Sequence, residues 1–143
     1  MTDEQRQQKE QRLAQWKNMA EADPDNAMGW LSLGNAYKEL DQIDEAEGAL
    51  RKAIDCDPEL SRAYQNLGQI LITQDKTDEA GELLDKGYRI AAEQGDVMPQ
   101  RAMGSLLQKI GRNVPQVTDQ RQKPIEVGEG RIIDRRTGKP GSR

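Results

Sequence analysis

Residues 30–58 read WLSLGNAYKELDQIDEAEGALRKAIDCDP, and the spacing of their large and small residues decides the fold. Shifting the chain by 34 positions lays this stretch on its successor: Trp30 on Tyr64, Leu33 on Leu67, Gly34 on Gly68, Asp44-Glu45-Ala46 on Asp78-Glu79-Ala80 and Leu50 on Leu84. Self-similarity at a fixed period of this size marks stacked supersecondary units, so it takes precedence over any local pattern. Within a helical hairpin each residue type has a job. Gly34 and Gly68 have no side chain and suit the closest approach of two helices, and Ala46 and Ala80 serve the same contact from the other helix. Trp30, Tyr64, Leu33 and Leu67 fill the space between units. Pro58 pushes Asp57 out of the helical region and sets the turn into the next unit.

In the first unit, Trp30, Leu33, Gly34, Tyr37, Ala46, Leu50, Ala53 and Pro58 resemble the signature of the tetratricopeptide repeat (TPR). The second unit keeps Tyr64, Leu67, Gly68, Leu71, Ala80 and Leu84, but Gly87 replaces the second Ala and Ala92 replaces the Pro. The loss of that proline leaves the second helix of this unit free to run longer, into Glu93. The resemblance implies an all-α, helix-turn-helix solenoid with two clear repeats, 27–60 and 61–94, plus a leading helix and a C-terminal capping helix. The expected helices span 27–40, 43–56, 61–73 and 77–93. A leading helix over 3–22 carries Leu13, Trp16, Met19 and Ala20 on one stripe and ends at Asp23-Pro24, the pair that recurs at Asp57-Pro58, so it reads as the B-type half of a degenerate repeat. A capping helix is expected over 98–111, with Met103-Gly104 matching the earlier Leu-Gly pairs after a two-residue slip. Residues 1–112 then form the TPR domain and 113–143 a flexible, mildly basic tail. Within that tail, Ile125 to Asp134 could instead pair as a short hairpin, which is marginal when isolated in water.

Composition narrows the function. With 32% charged and 34% hydrophobic residues, no Phe and a mean hydropathy of −0.95, the 143-residue chain must place its apolar side chains on one stripe per helix. No run approaches the roughly 18 apolar residues of a membrane span, and Met1 to Gln5 lack the character of a signal peptide, so a cytoplasmic location is expected. The sequence has no His and one Cys, which removes the commonest general base, the commonest metal ligand and any thiolate cluster. Cys56 reads as a structural cysteine. No phosphate-binding glycine motif occurs, and Asp44-Glu45 and Asp78-Glu79 read as acidic residues at helix N-termini on a solvated face. The expectation is no enzyme, no metal and no cofactor. Residues 1–112 carry 14 Lys and Arg against 21 Asp and Glu, leaving −7, whereas 113–143 carry 7 against 4, leaving +3. The acidic body repels a nucleic-acid backbone. The tail cluster Arg131, Arg135, Arg136, Lys139 and Arg143 has no aromatic beside it and reads as a solvated linker.

What remains is binding. In the TPR family the first helices of successive repeats line a concave face, and the resemblance places Asn35, Lys38, Arg62, Gln65, Asn66, Gln69, Arg101 and Lys109 on it. Asn35 and Asn66 match the asparagines of the carboxylate-clamp class, but the clamp's first lysine position holds Leu31. The broader expectation is a polar, somewhat basic groove for a protein or peptide partner that is acidic or carboxylate-bearing. The competing reading is an ordinary solvated helix face. An alternative function is self-association through the solenoid ends, giving a homo-oligomer. More weakly, Ala91 to Pro99 leading into the last helix is similar to the N-terminal TPR leader of bacterial proteins whose C-terminal part resembles iron-trafficking proteins. That resemblance implies that residues 139–143 lie within a linker and that any iron-related role belongs to a part absent from residues 1–143.

Overall fold

A computed structural model describes residues 1–117 together with 126–127 and 131–132. Six helices follow in order: α1 (Asp3–Ala22), α2 (Ala27–Glu39), α3 (Ile43–Cys56), α4 (Ser61–Thr73), α5 (Thr77–Gln94) and α6 (Val97–Lys109). Each packs on the next in the chain, and α4 also touches α6, which is the contact pattern of a solenoid. Strands β1 (Glu126–Val127) and β2 (Arg131–Ile132) pair antiparallel, with Glu126 opposite Ile132 and Val127 opposite Arg131. That places paired backbone within the stretch that the sequence offered as a hairpin. The remaining residues of 118–143 lie outside the described ones, and with them the rest of the expected flexible tail.

The 34-residue period extends to details that no side-chain pattern shows. Asp41 and Asp75 close α2 and α4 in the left-handed region, at φ 61° and 59°, which Asp tolerates better than most residues. At the same two turns the Gln42 and Lys76 amides donate to the Tyr37 and Leu71 carbonyls, both at 2.9 Å. Farther round the repeat, the Trp30 indole donates to the Pro24 carbonyl at 2.8 Å, and the Tyr64 hydroxyl donates to the Pro58 carbonyl at 2.7 Å. Lys52 lies 4.4 Å above the Trp30 ring and Lys86 5.8 Å above that of Tyr64. The Cys56 thiol also donates to Pro24, at 3.3 Å, so it ties the end of α3 to the first Asp-Pro turn.

The hairpins close where the glycines allow it. A Cβ on Gly34 would stand 2.8 Å from Leu50 Cγ, and one on Gly68 would fall inside the side chain of Leu84. Leu50 and Leu84 are fully buried, each contributing about 1.5–3 kcal/mol by leaving water. Gly87 stands where α3 has Ala53, and its smaller size has a cause: a Cβ there would meet Tyr64 Cβ at 2.5 Å and Met103 Sδ at 2.7 Å. With Ala92 in place of a proline, α5 runs 18 residues against 14 for α3, and Gly95 closes it at φ 69°. The chain stays packed beyond 112, the last residue of the expected domain. Pro115 is buried and Val114 half-buried, with Val114 beside Gly104 of α6.

On the other side of the hairpins, Glu47 accepts from Arg51 at 3.0 Å and from Lys76 at 3.2 Å, and Arg51 also pairs with Glu79. Burial alone would push the Glu47 carboxyl up, but its hydrogen bonds from Arg51 and Lys76 outweigh that and hold its pKa below the ordinary 4.5. Two outcomes are expected. Gly34→Ala should cost on the order of 1–3 kcal/mol in chemical denaturation, because the new methyl must displace Leu50. A folded-state pKa below the unfolded value stabilises fully above pH 4.5 and fades as pH falls through the folded value, so denaturation midpoints of the parent and Glu47→Gln should differ near neutrality and converge below 4.5.

Candidate binding groove

Helical periodicity arranges the groove. On α4, Arg62, Gln65, Asn66 and Gln69 stand at i, i+3, i+4 and i+7, one face of the helix; Leu31, Asn35 and Lys38 do the same on α2. Two hydrogen bonds tie these rows together. Asn66 Nδ2 donates to Asn35 Oδ1 at 2.8 Å, and Lys38 Nζ donates to Gln69 Oε1 at 2.9 Å. A concavity of about 380 Å³ opens beside them, walled by Asn35, Arg62, Gln65 and Asn66, with Leu31, Met98, Pro99 and Ala102 supplying apolar surface. Asn35 also borders a neighbouring hollow of about 200 Å³, where α1 contributes Arg12 and Trp16 and α2 contributes Ser32, Ala36 and Glu39.

Four of the eight expected residues therefore share one concavity, and Lys38 and Gln69 continue the row. Arg101 and Lys109 are exposed on α6 and are not among the lining residues. Ala102 takes the lining position beside Arg101, and Lys109 lies two turns farther along the Ala102 face, in the last turn of α6, where a cation meets the partial negative charge of the helix end. The apolar share of the wall was missed by reading only polar residues. A signal for it existed, since matching Met103-Gly104 to Leu67-Gly68 sets Met98 at the place of Arg62. Met98 is 74% exposed, a large apolar side chain standing free at the edge of a polar row.

The charges are distributed unevenly. On the α3/α5 side, Arg51 and Lys76 are engaged by Glu47 and Glu79. Among the described residues no carboxylate lies within 4.0 Å of the Arg62 guanidinium. Exposed ion pairs contribute little to stability, so a solvated Arg62 costs the fold nothing and keeps all its donors available. No group of three or more His, Cys, Asp or Glu is placed to hold a metal among the described residues, and no helix among them is long and apolar enough to cross a membrane.

Comparison with known proteins matches residues 29–60 and 49–82 to tetratricopeptide repeat families. Tetratricopeptide repeat protein 37 of Xenopus laevis is 36% identical over 58 residues, 41% of this chain; the chain spans only 4% of that relative. Among solved structures, the TPR2B domain of yeast Sti1 in its pHsp70 complex superposes with a TM-score of 0.69 at 24% identity, covering 74% of this chain and 85% of that one. The TPR2AB domain of yeast Sti1 in its pHSP90 complex gives 0.65 at 26% identity, covering 70% of this chain and 39% of that one. For the groove itself, a double-mutant cycle of Asn35→Ala and Asn66→Ala should return a coupling of about 0.5–1.5 kcal/mol in stability, with circular dichroism unchanged.

Proposed function

The chain is a tetratricopeptide-repeat protein, and on that premise we propose that it is a non-catalytic protein-interaction scaffold whose groove across α2, α4 and α6 holds an acidic segment of a partner. The observation that carries this reading is Arg62. It stands in the wall of the concavity without a carboxylate partner among the described residues, while Arg51 and Lys76 on the opposite side are engaged by Glu47 and Glu79. Around it the amides of Asn35, Gln65 and Asn66 offer donors and acceptors to a partner's backbone, and Leu31, Met98 and Ala102 offer apolar surface to a side chain next to the acidic one. Polar groups that fix orientation, set in an apolar wall, are the common make-up of a recognition site. The Sti1 TPR2AB domain in its pHSP90 complex, 26% identical to this chain, supports a role in protein binding.

Arg101 and Lys109 add long-range attraction from the exposed face of α6 and speed encounter more than they hold the complex. The partner is to be found by affinity capture with the whole chain, followed by mass spectrometry. Binding of that partner should weaken about tenfold in Arg62→Glu, which replaces attraction by repulsion inside the concavity, and about twofold in Arg101→Glu, which sits outside it. Helical circular dichroism should be the same for all three proteins. An affinity unchanged by Arg62→Glu would move the binding surface off this groove.

A further inference from the structure

The turn that closes α6 is the turn that closes α2 and α4. Gly111 takes the left-handed region at φ 81°, and the Arg112 amide donates to the Leu107 carbonyl at 2.8 Å, as Gln42 and Lys76 donate to Tyr37 and Leu71. After that turn, α2 and α4 are each followed by a second helix that packs back on them. Instead, α6 is followed by residues 112–117, which lie along the end of the stack without forming a helix. A Cβ on Gly34 or Gly68 would meet a leucine of that second helix. One on Gly104, the next glycine in the series, would meet Tyr88 at 3.2 Å and Val114 Cγ1 at 3.9 Å.

Arg112 holds this segment down. Its guanidinium lies across α5 where Gly81 leaves room, so that any Cβ at 81 would collide with it, and Nη2 reaches the Asp78 carbonyl at 3.4 Å. The corresponding position in α3, 34 residues earlier, is Glu47, which has a full side chain. A glycine inside a helix destabilises it, so Gly81 is a concession whose return is the seat for Arg112. Pro115, buried two residues before the described body ends, completes the strap.

At the other end of the stack, α1 presents the complement of what the strap covers. Subtracting 34 from Ala46, Leu50 and Ala53, the row that α3 turns onto its partner helix, gives Arg12, Trp16 and Met19. Among the described residues that row is covered only in part: Arg12 and Trp16 border a hollow against α2, Trp16 is half-buried, and Met19 is 58% exposed. We propose that residues 112–117 form a strap occupying the slot of a second helix on α6, and that with the strap lifted the slot accepts α1 of a second copy, Trp16 entering beside Gly104 where Val114 now sits. The contact is heterologous, head to tail, so it propagates into open stacks instead of closing at a dimer.

Sedimentation of the whole chain across concentration tests this. The parent should keep the mass of one chain, whereas Arg112→Ala/Val114→Glu should gain mass as concentration rises, and adding Trp16→Glu should abolish the gain. The proposal is overturned by a parent that associates through Trp16, by a strap variant that stays at one chain with full helicity, or by association that survives Trp16→Glu. Should the double variant lose helicity, Gly81→Ala dislodges only the Arg112 side chain, and its association or lack of it decides the matter.

Discussion

The fold depends on one steric condition, that the two helices of a hairpin meet where the first has no side chain. At Gly34 and Gly68 the leucines of the second helix occupy the volume a Cβ would need, so the helices approach closely enough to bury Leu50 and Leu84 completely. The rest follows from that approach. Close hairpins fix the angle at which Trp30 and Tyr64 emerge between units, and their polar tips then reach the carbonyls of the Asp-Pro turns. With the turns fixed, the first helices align side by side, and the Asn35–Asn66 and Lys38–Gln69 bonds become possible between them.

The two sides of the solenoid use charge differently. Between α3 and α5, Glu47, Arg51, Lys76 and Glu79 bridge adjacent helices, and the carboxylate at their centre is held ionised. Across the groove the bridges are amide to amide and amine to amide, which leaves a guanidinium uncommitted. A protein acidic overall thus keeps a local positive site by satisfying its neighbours with neutral groups.

Much of the fold was legible because the decisive residues are set by packing, and packing repeats. Glycine, alanine and leucine recur at 34 because the same contact recurs, and the ends of α1, α3, α5 and α6 fall where Asp-Pro and Gly punctuate the chain. The site was legible only in part. Asn35, Arg62, Gln65 and Asn66 could be placed by face, since helical spacing alone puts them together. Arg101 and Lys109 could not, because their distance from the concavity depends on how α6 sits after the two-residue slip, which no spacing within α6 reveals. The strap was hidden for another reason: Val114 and Pro115 are two apolar residues in a polar stretch, and their burial depends on the surface they find, not on any pattern of their own.

The added turn of α5 has a consequence for register. By running four residues beyond the length of α3 and using a two-residue link in place of the Asp57–Leu60 loop, it advances α6 by 36 positions relative to α4 where α4 follows α2 by 34. That phase shift sets the thioether of Met98 at the place that the guanidinium of Arg62 holds on the preceding groove helix. A perfectly periodic solenoid presents the same chemistry at each step, so nothing along it distinguishes one repeat from the next. Here the row is cationic at α4 and apolar at α6, so the steps are not interchangeable and an extended chain displaced by one repeat would meet different chemistry.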